Sequence, residues 1–180
     1  MGTTSARRPA ARVVDLSEDR DAFSTANCSV ARALEVVGTR SAMLLLREAF
    51  YGTRRFDQFA RRVGVTEAVA ATRLRAMVDD GLLTRSPYRE PGQRTRHEYC
   101  LTRKGRELYP ALVALLHWGD VWAADEIGPP VVLTHRTCGE PVHAEVRCAA
   151  GHPVTPRDVA VIAGPGLRLA QTTEDACADV

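Results

Sequence analysis

The sequence predicts a mainly α-helical fold with one small β-hairpin, an α+β arrangement. Three observations support this prediction. Short amphipathic helices fill the chain up to residue 81, the apolar period becomes extended between residues 82 and 102, and a long apolar helix follows. With 180 residues and 45% apolar content, the chain can bury a core of its own.

The N-terminal part predicts three helices after a tail. Residues 1–15 are polar, small and arginine-bearing, which is typical of a loose tail. Residues 16–26 begin with acids and predict a short helix. The run 28–37 predicts a helix that Gly38 ends, and the strongly apolar run 41–50 predicts another. The inward positions predicted for the 28–37 helix are Val30, Ala33, Leu34 and Val37.

Residues 56–80 predict two helices joined by a tight turn. The first covers 56–63, Gly64 makes the turn, and the second covers 66–80. Thr66 stands at the N-cap position and Gly81 just beyond the C-terminus. The face of the second helix predicted to point inward contains Val65, Val69, Ala70, Leu74 and Met77. Alone, this pattern also suits an ordinary surface helix, but with its neighbour it makes a helix-turn-helix.

A hairpin follows directly. Residues 82–86 and 95–102 predict strands, and the loop between them is rich in turn-forming residues. Arg89, Arg94 and Arg96 surround its tip. A hairpin in this position forms a wing, and its arginines suit contacts with phosphates or a minor groove.

Thr102 is predicted to cap one long helix that extends through residue 127. Leu108, Leu112 and Leu115 begin a near-heptad apolar stripe along it, which ends at Trp122. A small domain has little surface left to cover such a stripe, so a second copy of the chain is expected to cover it. The alternative is that the stripe packs on its own core.

The C-terminal part changes in composition at Gly128, Pro129 and Pro130. The following 24 residues predict two short strands. The predicted domains are a disordered tail over 1–15, a winged helix-turn-helix DNA-binding and dimerisation domain over 16–127, a small β-rich extension over 128–164 and a flexible tail over 165–180.

Charge is concentrated in one block. The whole chain carries a net charge of only +2, but residues 54–96 contain ten arginines and five acids, a local charge of +5. A basic block in a nearly neutral protein is typical of a surface that binds a polyanion. Arginine also binds phosphate and guanine through two parallel hydrogen bonds.

Five scattered cysteines argue against a disulfide framework. We find neither a membrane-spanning stretch nor a signal-peptide pattern, so the expected location is the cytoplasm, with no membrane partner.

Several motifs resemble one known family when taken in order. They are CSVARALEVVGTR from Cys28, LLLREAFYGTRRFDQF from Leu44, VTEAVAATRLRAMVDDGLLTR from Val65 and HEYCLTRKGREL from His97. Over about residues 26–123 the sequence resembles the HxlR-type winged helix-turn-helix transcriptional regulators, bacterial relatives of the MarR class. The resemblance implies a homodimer, joined by its N-terminal and C-terminal helices, that reads a palindromic operator as a repressor or an activator.

Three features depart from the family pattern. Ser41 stands where the family often has tryptophan, Ala70 replaces a usual leucine, and the wing loop is slightly longer. The second of these departures predicts a thinner core under the 66–80 helix. None of the three removes a DNA-binding element.

Double-stranded DNA is the expected partner. Thr66, Glu67, Ala71, Thr72 and Arg75 form the set expected to face bases and phosphates. Arg54, Arg55, Arg61, Arg62, Arg89, Arg94 and Arg96 are expected to contact the DNA backbone. The alternative is a solvated charged face.

Cys28 matches the early cysteine of the resembling family, which in some members senses oxidants or electrophiles. It also begins a helix, where thiols ionise more readily. Redox sensing is therefore one hypothesis, and an inert half-buried thiol is the alternative.

No cofactor is expected, although the extension has a spacing that zinc can use. His135, Cys138, Cys148 and His152 follow the pattern H-x2-C-x9-C-x3-H, with His143 nearby. The complete four-cysteine pattern of related extensions is missing. A degenerate, metal-free ribbon is the interpretation we favour.

A small-molecule effector is another hypothesis. Tyr109, His117, Trp118 and Trp122 lie along the long helix and can line a cavity or a dimer interface. An enzyme is excluded as the main interpretation, because we find no nucleophile elbow, phosphate loop or HExxH motif. The remaining alternative is a winged helix that binds proteins instead of DNA, and salt-sensitive binding to duplex DNA separates the two.

Overall fold

The computed structural model describes residues 24–89, 92 and 95–168. The predicted tail over 1–15, most of the predicted 16–26 helix and the end of the predicted C-terminal tail lie outside these residues. A short 3-10 turn, Thr25–Asn27, is present in the described part of that helix. The described chain divides into two compact units, one of residues 34–145 and one that joins residues 24–33 with 146–168.

Helices α1 (Ser29–Val37) and α2 (Arg40–Phe50) form where the apolar runs predict them. The Thr39 side chain caps α2 by accepting a hydrogen bond from the Ala42 amide at 3.2 Å. The inward face predicted for α1 is largely wrong. Val37 is buried and Ala33 is exposed. Val30 and Leu34 are 67% and 56% exposed.

The helix-turn-helix consists of α3 (Phe56–Val63) and α4 (Glu67–Asp79). Gly64 ends α3 with φ of 69°, a left-handed conformation that glycine adopts without strain. The Thr66 side chain then caps α4 by accepting from the Val69 amide at 3.3 Å. The turn and the cap therefore fix the direction in which α4 leaves α3.

The core lies between α2, α3, α4 and the start of the hairpin. Its most completely buried large side chains are Phe59, Leu45, Leu46, Leu74, Met77, Leu82 and Leu83. Ala70, predicted to thin this core, is fully buried. Val69 is 40% exposed, so its predicted inward position is wrong: it lies one residue before the buried stripe of α4.

One buried cluster is polar. The Glu48 carboxylate is 6% exposed and accepts hydrogen bonds from Arg47 Nη2 at 2.9 Å and from the Thr53 hydroxyl at 3.2 Å. Arg62 of α3 donates to the same Thr53 hydroxyl and lies 3.8 Å from the second Glu48 oxygen. A buried carboxylate is stable only when it is paired in this way, and the cluster joins α2 to α3.

The wing is a two-stranded antiparallel hairpin of β1 (Leu83–Tyr88) and β2 (Arg96–Leu101). Its register pairs Leu83 with Leu101 and Arg85 with Tyr99. Phe59 and Tyr99 pack edge to face with ring centroids 6.1 Å apart, which anchors β2 on α3.

The predicted continuous helix over 103–127 is wrong. The chain forms a short α5 (Arg103–Arg106) and a separate α6 (Tyr109–Trp122). Pro110 stands in the first turn of α6, where its missing N–H cannot continue the hydrogen bonds of α5. Residues 123–127 lie beyond the helix end.

The two short strands predicted after residue 130 are also wrong. Two isolated bridges form instead, between Thr134 and Pro141 and between Arg147 and Pro153. Proline has no N–H to extend a ladder, which keeps each pairing short. Among the described residues, no helix has the length and apolar character needed to cross a membrane.

Gly105→Ala should destabilise the fold by about 2 kcal/mol, because the joint between hairpin and α5 has no room for a side chain. An added Cβ would lie 2.2 Å from the Leu82 carbonyl oxygen. Urea unfolding followed by circular dichroism measures the change. Gly164→Ala is the control, since its Cβ would meet nothing within 4 Å. Equal stability of the two variants would contradict the tight joint.

Candidate nucleic-acid interface

The outer face of α4 is set by its buried face. Because Ala70, Leu74 and Met77 point into the core, the opposite side of the helix is open to solvent. Glu67, Thr72 and Arg75 are exposed there, and Ala71 is half-buried. The Thr72 hydroxyl donates to the Ala68 carbonyl at 2.9 Å, within its own helix. Arg75 is therefore the member of this face with the longest reach.

Helix α4 and the wing enclose an open groove of about 690 Å³. Its walls come from α3, α4 and both strands, and the residues that line it are Phe56, Asp57, Ala71, Arg75, Val78, Asp79, Arg85, Tyr88, Arg96, His97 and Tyr99. Two predicted members of the DNA-facing set, Ala71 and Arg75, thus share one surface with a predicted backbone-contacting residue of the wing, Arg96.

The groove is positively charged overall. Arginines 75, 85 and 96 line it together with two acids, Asp57 and Asp79. Across the hairpin, Arg85 Nη2 lies 2.9 Å from Nδ1 of His97, which orients both side chains. A cleft with converging guanidinium groups can bind the phosphates of a nucleic-acid strand.

Arg54 and Arg55 lie where the turn after α2 meets β2. The Tyr99 amide donates to the Arg54 carbonyl at 2.9 Å, and the Arg54 guanidinium is 3.8 Å from a Glu98 oxygen. The Arg55 guanidinium carbon lies 5.2 Å from the centroid of the Tyr88 ring, a cation–π contact. These contacts hold both arginines in place, and both side chains are exposed.

The other predicted arginines have different surroundings. Arg61 lies 3.9 Å from Asp57 one turn earlier in α3. Arg62 contacts the Glu48 cluster, although its side chain is 48% exposed. Arg89 is exposed at the end of the wing. Arg94 lies outside the described residues.

Eight of the eleven groove residues were not in the predicted set, and three of them concern the wing arginine and its neighbours. Arg85, Tyr88 and His97 all belong to the wing strands and line the groove. The alternation of β1 could have indicated Arg85, since it is two residues after the buried Leu83. The position of His97 depended on the strand register, which the sequence did not specify.

Cys28 is a half-buried free thiol immediately before α1. Its carbonyl accepts the first helical hydrogen bond, from the Arg32 amide at 3.0 Å. The thiol thus stands at a helix N-terminus, as the sequence predicted.

The four aromatic candidates of the long helix do not gather in one pocket. Tyr109 lines a groove against α2, and the His117 ring lies 5.5 Å from the ring of His143. Trp118 and Trp122 are 60% and 74% exposed.

The zinc candidates form two separate pairs. His135 Nδ1 lies 3.1 Å from Cys138 Sγ in one unit, and Cys148 Sγ lies 3.6 Å from His152 Nδ1 in the other. Within the described part of the chain, no three His, Cys, Asp or Glu side chains are grouped as a metal site.

Comparison with known proteins matches residues 36–127 to the model of the HxlR-like helix-turn-helix family. An uncharacterized HTH-type transcriptional regulator of Mycobacterium tuberculosis, Rv3095, is 45% identical over 141 residues, which are 78% of this chain and 88% of that protein. The likeness therefore includes the wing, α5 and α6 as well as the two helices of the motif.

Two solved structures are similar over most of their length. The crystal structure of PA1607, a candidate transcription factor, has a TM-score of 0.68 and 37% identity, covering 76% of this chain and 94% of that one. The structure of PA1374 from Pseudomonas aeruginosa, also a candidate transcription factor, has a TM-score of 0.54 and 36% identity, covering 82% and 97%.

Arg75→Ala should weaken binding to a duplex selected by the unmodified protein more than about tenfold, roughly 1–3 kcal/mol, because it removes an exposed guanidinium from the groove. Titration by fluorescence anisotropy measures the affinity. The matched control is Arg103→Ala, which removes an exposed arginine of α5 that pairs with Glu107. Unchanged affinity of the Arg75 variant would remove this residue from the interface.

Proposed function

The chain belongs to the HxlR-like helix-turn-helix family, and from this premise we propose that it regulates transcription as a homodimer bound to a palindromic promoter site. The members of this family are DNA-binding transcriptional regulators of the helix-turn-helix type, and this chain is one of them and not an enzyme. Its proposed place of action is the cytoplasm, where bacterial promoters are accessible.

The arginine-lined groove is the observation that supports binding to DNA. It places Arg75 of α4 and Arg85 and Arg96 of the wing around one cleft, beside the exposed outer face of α4. A helix of this kind enters a major groove while the wing contacts the adjacent backbone. In this proposal Arg75 is directed to a base edge or a nearby phosphate, and the wing arginines bind phosphates.

The apolar surface of α6 supports the proposed dimer. Trp118, Val121 and Trp122 are all more than half exposed at its C-terminal end. Two further apolar side chains, Val30 and Leu34, are exposed on α1. Exposed apolar surface of this extent is typical of protein–protein interfaces, and a two-fold partner would cover it. The two recognition helices should then lie about 34 Å apart, one turn of B-DNA.

A response of the regulator to oxidants is proposed through Cys28. The thiol is partly accessible and lies at the N-terminus of α1. Since α1 also carries the exposed Val30 and Leu34, a modified thiol would alter the surface next to them.

The main test combines DNA selection with the oligomeric state. Duplexes selected from a random pool should contain an inverted repeat with half-sites one helical turn apart, and the affinity should fall steeply with salt because phosphates are neutralised. Sedimentation equilibrium should find two copies per complex. Duplex binding without salt dependence, or none at all, would instead favour a winged helix that binds proteins.

Replacing both Trp118 and Trp122 by Glu should give a monomer and lower the affinity for the selected duplex about 100-fold or more, because the two half-sites are no longer bound together. Sedimentation equilibrium and anisotropy measure the two effects. Val159→Glu is the control, since it also adds a carboxylate at an exposed valine. A double variant that remains dimeric would rule out this face of α6 as the interface.

Cys28→Ser should bind DNA like the unmodified protein but lose the response to diamide. The expected response of the unmodified protein is a change in duplex affinity after treatment with diamide and glutathione, because diamide oxidises the Cys28 thiol and a glutathione thiol to a mixed disulfide, which dithiothreitol reduces again. Cys100→Ser is the matched control, since Cys100 is another half-buried thiol. If the serine variant at position 28 still responds, sensing does not depend on this residue.

A further inference from the structure

Two side chains of the wing meet inside the DNA-facing groove. Arg85 of β1 is exposed, His97 of β2 is half-buried, and Arg85 Nη2 lies 2.9 Å from His97 Nδ1. Both residues line the groove. The proposed function assigns phosphates to the wing arginines, but it gives no role to His97, which is also outside the set predicted from the sequence.

The strand register brings these two side chains together. Arg85 pairs with Tyr99, and His97 stands two residues before Tyr99, on the same face of β2. Tyr99 packs against Phe59 of α3, which directs this face of the hairpin toward the helices. His97 therefore lies diagonally across from Arg85, nearer the tip of the wing and inside the groove.

The chemistry of the contact determines which imidazole nitrogen carries the proton. A guanidinium group donates hydrogen bonds and accepts none, so Nδ1 of His97 has to be the acceptor. The proton of the neutral ring is then on Nε2, from which it can be donated to a further acceptor. Arg85 keeps its other N–H groups for the same purpose. The pair therefore offers donors from two strands to one part of the groove.

The acids of the groove do not replace His97 as the partner of Arg85. The Asp57 carboxylate lies 3.9 Å from Arg61 in its own helix. Within the described ranges, Arg85 forms no ion pair with Asp57 or with Asp79. An exposed arginine loses rotamer entropy when it binds a ligand, and a contact that orders it beforehand reduces this loss.

We propose that His97 is a positioning residue of the DNA interface, which holds the Arg85 guanidinium toward a phosphate and releases it when the imidazole is protonated. The inference rests on the proposed function, because the phosphate belongs to the bound duplex. A proton on Nδ1 would turn the acceptor into a donor that faces another donor, and it would place two cations side by side. The hydrogen bond to Arg85 would then be lost.

Other charged and titratable groups share the groove with His97. The arginines among them oppose a second positive charge, whereas the acids favour it. These groups are Asp57 of α3, Arg75 and Asp79 of α4, Tyr88 of β1, and Arg96 and Tyr99 of β2. Because all of them stay unchanged in variants at positions 85 and 97, a comparison of such variants at one pH isolates the pair.

The alternative is that His97 contacts a phosphate through Nε2 without acting on Arg85. The two interpretations differ in what is lost when His97 is removed. A positioning residue takes the phosphate contact of Arg85 with it, so its effect disappears once Arg85 is absent. An independent hydrogen bond from His97 would instead add to the effect of Arg85.

Anisotropy titrations with the selected duplex at about pH 8 test the positioning role. Arg85→Ala should weaken binding about tenfold and lower the slope of log affinity against log salt by about one, since one phosphate contact is lost. His97→Ala should weaken binding about threefold or more and also lower the slope, although it removes no arginine. The double variant should bind no more weakly than Arg85→Ala alone.

Two further variants serve as rescue and control. His97→Asn keeps an acceptor oxygen close to the position of Nδ1, so its affinity should stay within about twofold of the unmodified protein. His143→Ala removes an exposed histidine outside the groove and should bind normally. Thermal melting of every variant checks that the fold is retained.

The pH dependence tests the release of Arg85. Histidine ordinarily changes its charge between about pH 5 and 8, so the titrations are repeated at about pH 5.5. Arg85→Ala should then cost less affinity than at about pH 8, because the pair is already broken in the unmodified protein. In the His97→Asn background, which has no imidazole, the cost of Arg85→Ala should be the same at both pH values.

Nitrogen-15 NMR of the free protein tests the pairing without DNA, and the expected result is a proton on Nε2 of His97. A proton on Nδ1, no loss of affinity in His97→Ala, or additive losses in the two single variants would overturn the positioning role. In those cases, duplex binding by the unmodified protein still supports the proposed function. A protein that binds no duplex would overturn both the proposed function and this role, even with the expected tautomer.

Discussion

The burial of one stripe of α4 is the constraint on which the described structure depends. Ala70, Leu74 and Met77 are at most 2% exposed, and they pack α4 against α2 and α3. Burying side chains of this size contributes about 1.5–3 kcal/mol for each large one, so the helix has a single favourable orientation. The outer face that contains Arg75 is consequently determined by residues that never contact a ligand.

The wing receives its position from the same core through a crowded joint. The Thr102 hydroxyl donates to the Gly81 carbonyl at 2.6 Å and accepts from the Gly105 amide at 3.0 Å, which ties the end of α4 to both strands and to α5. Leu82 and Leu83 complete the joint as buried side chains. Because α4 and the hairpin share one support, the groove between them keeps its shape, and its arginines remain directed toward the same volume.

The fold divides the basic block into groups with different chemistry. Arg75, Arg85 and Arg96 line an open groove, while the half-exposed Arg62 pairs with Thr53 and the buried Glu48. A buried carboxylate requires such partners, whereas the groove arginines face an open cleft that a polyanion can enter. The Glu48 cluster also joins α2 to α3, so one buried acid helps to fix the helix-turn-helix.

By itself, the sequence determined the local elements and the chemical class of the protein. Helix α3 begins and ends where its apolar period predicts, and α4, the wing and the glycine-bearing turn were predicted within two residues, because caps, glycine and periodicity are local signals. The family motifs, which place an arginine-rich helix and hairpin next to each other, were also readable from the sequence.

Only the tertiary structure determined which helix faces are buried and which arginines form ion pairs. The pairing of Arg62 with Glu48 and of His97 with Arg85 depends on contacts between different elements of the fold. The helix break at Pro110 and the short bridges after residue 130 have a local cause, which is proline. The apolar periodicity of these segments does not reveal it. Local spacing specifies what a segment can bury, but only the packed chain specifies what it does bury, because each contact requires a partner surface of matching shape and charge.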